Sequence, residues 1–167
     1  MKLTNCQMCA LSKGREHTSF SKGQKPASVM IVFGREPRSD KIKDRLQEFV
    51  RTLNYDLKHD WYYSYAIKCS QKDKVDISHI KACRKWLLKE IEDVNPYLII
   101  LMGKLPLVMA LGGRYRNLFR ENVFYFLEGS KGKGTRHYFF TEDIKGDTDV
   151  MKQGIEKLLA FIREYYG

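Results

Sequence analysis

Long apolar runs are missing from this sequence, and so are several signatures that would name a chemistry outright. Without a run of about 20 apolar residues, no membrane-spanning helix is expected. The opening Met1-Lys2-Leu3-Thr4-Asn5-Cys6 has no apolar core, so no signal peptide is expected and the cytoplasm is the expected compartment. There is no internal repeat and no low-complexity tract. No Gly-x-Ser-x-Gly elbow and no His-Glu-x2-His occur, so acyl hydrolases and zinc peptidases lose support. The loop Gly129 to Thr135 is rich in glycine and lysine, but Thr135 follows Gly134 where a phosphate-binding loop needs Lys. Acidic residues are short as well. Thirty Lys and Arg stand against 20 Asp and Glu, for a net charge of +10. Such an excess suits a polyanion, because neutralised phosphates release counterions; a basic surface that only aids solubility is the plainer alternative.

The 167 residues are 43% hydrophobic and 30% charged. That is the make-up of one globular domain, read here as residues 1–167 with an N-terminal Cys-x2-Cys segment. Residues 10–27 are polar and read as a loop. Val29 to Phe33 is apolar on both faces and stops at Gly34, which suits a buried parallel strand. Residues 41–53 carry Ile42, Leu46, Phe49, Val50 and Leu53 at helical spacing. Trp61 to Lys68 is aromatic-rich and reads as a strand. Ser78 is positioned to cap a helix that presents Ile80, Leu87, Leu88, Ile91 and Val94 and ends at Pro96. A strand to Met102, a helix over 104–111, strands near 123–128 and 136–141, and a helix over 150–165 complete the pattern. Strands alternating with helices predict an α/β fold, a three-layer α/β/α sandwich around a mainly parallel sheet. Sites in such sheets lie where strands end, and Gly34-Arg35-Glu36-Pro37 occupies such a place.

The four cysteines fall as Cys6-x2-Cys9, Cys69 and Cys83. In a reducing compartment they read as metal ligands before disulfides. The second pair is too far apart for a zinc ribbon, and four irregularly spaced cysteines suit an iron–sulfur centre, a 4Fe-4S cluster first. Four unrelated buried thiols are the alternative. Lys131, Lys133 and Arg136 form a basic loop that would touch a DNA backbone, unless they are simply a solvated hairpin. His137 reads as a structural histidine first and a general acid second.

Several ordered pieces resemble the iron–sulfur branch of the uracil-DNA glycosylase superfamily, usually called family 4. Cys6-Gln7-Met8-Cys9-Ala10-Leu11-Ser12-Lys13-Gly14-Arg15 resembles its Cys-x2-Cys-x-Leu-x3-Arg opening. Val29 to Pro37 resembles its first strand and Gly-Glu-Ala-Pro-Gly loop, and Tyr62 to Cys69 its Tyr-Ile-Thr-Asn-Val-Val-Lys-Cys strand. Cys83 to Ile91, Pro96 and the strand to Gly103 resemble its helix-Pro-strand-Gly run. The resemblance implies the superfamily's α/β/α sandwich, a cluster on the four cysteines and DNA as partner. A repair or replication protein is a second expected partner.

The departures from that pattern fall on its active-site motifs. Arg35 and Arg38 replace the loop's Glu and closing Gly. Tyr65 stands where the base-reading Asn is expected, and Thr141-Glu142-Asp143 stands where His-Pro-Ser is expected. The stretch bearing the stacking phenylalanine is not found. Glu36, however, occupies the loop position where another branch has a water-activating Asp. A carboxylate there can stabilise an oxocarbenium-like sugar and orient water. The sequence therefore supports a DNA-binding iron–sulfur protein with reduced or lost uracil excision, acting in repair or replication. An active glycosylase using Glu36 on uracil or another altered base is the alternative.

Overall fold

The computed structural model describes residues 6–18, 21–23, 25–56, 61–70, 74–118, 123–128 and 135–166. Within them lie strands β1 (His17–Thr18), β2 (Lys22–Gly23), β3 (Val29–Phe33), β4 (Trp61–Tyr65), β5 (Cys69–Ser70), β6 (Leu98–Met102), β7 (Val123–Glu128) and β8 (Thr135–Thr141). The helices are α1 (Asp40–Asp56), α2 (Ile77–Val94), α3 (Lys104–Leu111) and α4 (Thr148–Tyr166). The main sheet runs β2-β4-β3-β6-β8-β7. Its four central strands are parallel, and β2 and β7 close the edges antiparallel.

β3 shows why the sheet is a middle layer. All five of its residues are buried. Met30 and Val32 face one core with Leu87, Ile91 and Val94 of α2 and Leu107 and Met109 of α3. Val29, Ile31 and Phe33 face a second core with Leu46, Phe49 and Leu53 of α1 and Leu158 and Ile162 of α4. A strand covered on both faces needs apolar residues at every position, not at alternate ones. Each large side chain so buried contributes about 1.5–3 kcal/mol. The result is the expected three-layer α/β/α sandwich. Among the described residues no helix is long and apolar enough to cross a membrane.

Two local expectations change. α2 is capped by Asp76, not Ser78. Asp76 Oδ1 accepts the His79 backbone N–H at 3.1 Å, and His79 Nδ1 accepts the Asp76 N–H at 3.1 Å. Histidine thus fills the place that Glu or Gln usually takes in a capping box. The segment expected as a loop over 10–27 contains a 3-10 turn at Ala10–Ser12 and the short strands β1 and β2. β1 pairs with β5, setting Thr18 opposite Cys69. That pairing carries the N-terminal cysteines to the far end of β4.

The chain order fixes where a ligand belongs. From β3 the chain crosses to β4 on one side, and from β4 it returns to β6 on the other. The strand order therefore reverses between β3 and β6, and the crevice beyond their carboxyl ends is the natural binding place.

Candidate functional site

Two regions carry candidate chemistry. The first is a corner where all four cysteines line one cavity with Arg15, Lys68 and Trp86. Cys6, Cys69 and Cys83 are buried and Cys9 is half-buried, all four as free thiols. Cys6 and Cys9 come from the turn before Ala10–Ser12, which Ser12 closes by donating its backbone and hydroxyl hydrogens to the Cys9 carbonyl. Cys69 lies on β5 and Cys83 in the second turn of α2. Trp86 Nε1 donates to Cys6 Sγ at 3.3 Å, and the Lys68 backbone N–H to Cys83 Sγ at 3.4 Å. Arg15 donates to the Cys6 carbonyl at 2.6 Å and reaches Cys69 Sγ at 3.7 Å. N–H donors aimed at three sulfurs are the surroundings that stabilise thiolate ligands and tune a cluster. Among the described residues no three donors converge on a point as they would around a single ion. Burial pushes the Cys83 thiol up to about 11, against the pull of the Lys68 N–H and ammonium. A metal taking this sulfur must displace a proton.

Behind the corner lies a polar network that the sequence did not reveal. Lys68 is 1% exposed. Its ammonium pairs with Glu90 and donates to Ser64 Oγ at 2.5 Å. Ser64 and Tyr62 donate to the two Glu90 oxygens at 2.7 and 3.1 Å. Burial pulls the Lys68 ammonium downward and Glu90 opposes that pull. Burial likewise raises the Tyr62 phenol, to about 12. A buried charge is tolerated when it is paired and hydrogen-bonded, and this one has Glu90 and Ser64 as partners. A lysine between Ile67 and Cys69 gives no sequence signal of its partner, Glu90, which lies 22 residues on.

The second region is the crevice between β3 and β6. Gly34 follows β3 and Gly103 follows β6, side by side. Asp143, just past β8, stands over both. A Cβ on Gly103 would lie 3.2 Å from Asp143 Oδ2, and one on Gly34 would lie 3.7 Å from it. Gly103 also holds φ at 93°, a conformation that favours glycine. Leu105 and Pro106 cover Gly34 from the other side. Asp143 itself is fixed by its turn, its Oδ1 accepting the Lys145 N–H at 2.8 Å. Tyr65 is buried against Phe33, ring centroids 5.9 Å apart, and against Tyr63. Burial raises the Tyr65 phenol above its ordinary value, and the neighbouring Tyr63 and Glu36 charges add to the shift. Glu36 is half-buried on the loop beside it. Arg38 pairs with Glu16 at 2.9 Å, tying this loop to the cysteine segment.

Of the expected DNA-contacting residues only Arg136 is described. Lys131 and Lys133 lie outside the described residues. Arg136 Nε donates to the Pro96 carbonyl at 2.8 Å, and its NH2 group to Asn95 Oδ1 at 3.3 Å. It ties the start of β8 to the end of α2, at the end of the strands opposite the crevice. His137 sits at the same end with its ring against Phe161, centroids 5.5 Å apart, and burial lowers its pKa. It is remote from Glu36, and the structural reading of this histidine accounts for it.

The fold is that of a doubly wound α/β protein, with a crevice at the reversal of strand order. The chain belongs to the uracil DNA glycosylase superfamily, whose family model matches residues 18–153. The match takes in the crevice, Cys69 and Cys83. Cys6, Cys9 and Arg15 precede it.

Proposed function

We propose that the chain is a DNA-binding member of the superfamily that carries an iron–sulfur cluster, 4Fe-4S, on Cys6, Cys9, Cys69 and Cys83, and that it releases uracil weakly or not at all. Work in DNA repair or replication, beside a partner protein of that machinery, belongs to this reading. The cluster supplies a covalent tie between segments distant in sequence. Cys6 and Cys9 would hold it from the N-terminal turn, and Cys69 and Cys83 from β5 and α2. Arg15, Trp86 and the Lys68 N–H would fix the sulfurs. Membership of a DNA-acting superfamily and a net charge of +10 support the DNA partner.

One observation carries the uracil part. Tyr65 stands where the resemblance expects the base-reading Asn, and it is 7% exposed, its ring packed on Phe33. A buried phenol cannot offer the paired donor and acceptor of a carboxamide. Asp143, not a His-Pro-Ser serine or histidine, stands at the end of β8. An ionised carboxylate accepts hydrogen bonds only, so it does not stabilise a departing base anion. Losing one group that stabilises developing charge costs about 10²–10³ in rate, and losing two leaves release near background. The test is uracil release from single- and double-stranded DNA with the DNA in large excess over the protein. Release at catalytic protein concentrations overturns this reading.

A specific observation favours the second reading. Glu36 sits on the strand-end loop, near enough to Tyr65 for its charge to act on the phenol. As a glycosylase, the chain would use Glu36 to orient water on the sugar of an extruded altered base. Glu36→Gln should then abolish release while leaving DNA affinity unchanged.

A further inference from the structure

A groove of about 460 Å³ opens between the start of α2, helix α3 and the 3-10 turn Gly113–Leu118. Its floor is apolar, made of Ile80, Leu105 and Val108, and its rim carries Lys104 and Arg116. Both cations are exposed, and none of the described lining residues is acidic. Arg114, also exposed, lies two residues before Arg116 with its guanidinium over the Tyr115 ring, 4.9 Å from the centroid. Leu105 borders both places: it lines the groove, and its Cδ2 lies 3.6 Å from where a Cβ on Gly34 would stand, in the crevice. The volume falls in the ~300–1,000 Å³ range of small-ligand sites.

We propose that this groove holds one unstacked nucleotide of a single DNA strand, its base against Ile80, Leu105 and Val108 and its flanking phosphates on Lys104 and Arg116. The proposal rests on the DNA-binding reading above and deepens it by naming the surface and the form of the DNA. The charge is complementary to a phosphate backbone. The apolar floor selects the single strand, since the bases of a duplex are stacked and keep their faces from such a floor.

The test is fluorescence anisotropy of a labelled single-stranded oligonucleotide against salt, with the whole chain. Lys104→Gln/Arg116→Gln is compared with Lys41→Gln/Lys152→Gln, which removes equal charge from the opposite layer. Thermal melts check the fold, and Arg116→Gln alone serves if the double variant melts early. The groove variant should bind about tenfold more weakly, and its salt slope should fall by about 1.4, as expected when two single-strand phosphate contacts are lost. The control pair should change little. If both pairs weaken binding equally, the groove assignment is overturned while DNA binding stands. If the groove variant loses duplex affinity as much as single-strand affinity, the single-strand assignment is overturned. If the wild-type chain binds no DNA at low salt, the DNA reading itself is overturned.

Discussion

The cysteine corner lies at the small β1-β5 sheet and the crevice at the strand ends of the main sheet, and the two compare in opposite ways with the pattern that the family 4 resemblance leads one to expect. At the corner every expected thiol is present, and the Trp86 and Arg15 side chains and the Lys68 backbone aim N–H groups at the sulfurs. At the crevice Gly34 and Gly103 lie together under Asp143, but Tyr65 stands where the resemblance expects the base-reading Asn and Asp143 lies where it expects the His-Pro-Ser motif. A ligand-holding corner stabilises the fold whatever the crevice does, so its residues answer to packing and geometry. A base pocket answers only to its substrate, and it can be rebuilt without disturbing the sheet beneath it.

The largest effect should come from breaking the corner. Cys83→Ser should lose the bound iron and sulfide. If the cluster stabilises the fold as a ligand present at 1,000-fold its dissociation constant would, about 4 kcal/mol goes with it. For a chain of this size that is a fall of about 8–16 °C in Tm. DNA affinity measured below that temperature should change far less, and an equal loss of both would merge the two regions into one functional unit.

Next comes the network between the regions. Lys68→Met leaves Glu90 without its cation, and breaking such a pair costs about 3 kcal/mol or more. Denaturant unfolding should report that loss while the visible absorbance of the cluster persists. Loss of colour would show that the Lys68–Glu90 pair belongs to the corner. Arg136→Ala removes two hydrogen bonds that tie β8 to the end of α2 and should cost about 1 kcal/mol. Its DNA affinity should stay close to wild type; a large loss would return this residue to the interface.

The smallest effect is on pH dependence. The folded His137 pKa lies below its ordinary value of 6.5 because burial disfavours the imidazolium. The unfolded chain therefore binds more protons just below 6.5. The contribution of this group is fully present above that value and is lost as pH falls through the window beneath it. His137→Gln should flatten that acid-side loss slightly in thermal melts at pH 5 to 7, with no effect on DNA binding.

What the sequence disclosed follows from the range of each interaction. β3 and β6 were legible because five successive apolar residues have few other places to go. Helix α3 was legible despite Pro106, which sits in its first turn where no helical N–H is owed. The start of α2 was misplaced by two residues because the capping box uses His79 in an unusual role. β1 and β5 were hidden, since two-residue strands have no periodicity to read and exist only through each other. At the sites, cysteine spacing exposed the corner's thiols but not Arg15, Trp86 or Lys68, whose roles arise from contacts spanning 54, 80 and 15 residues. Asp143 was visible as a departure from a motif, and only the strand register placed it over Gly34 and Gly103.

The claim that the corner is intact while the crevice is rebuilt meets its most direct test in the metal content of protein purified without oxygen. The account predicts a brown sample with broad absorbance in the blue, carrying iron and acid-labile sulfide that Cys83→Ser loses. A colourless sample holding stoichiometric zinc, or no metal at all, would contradict it.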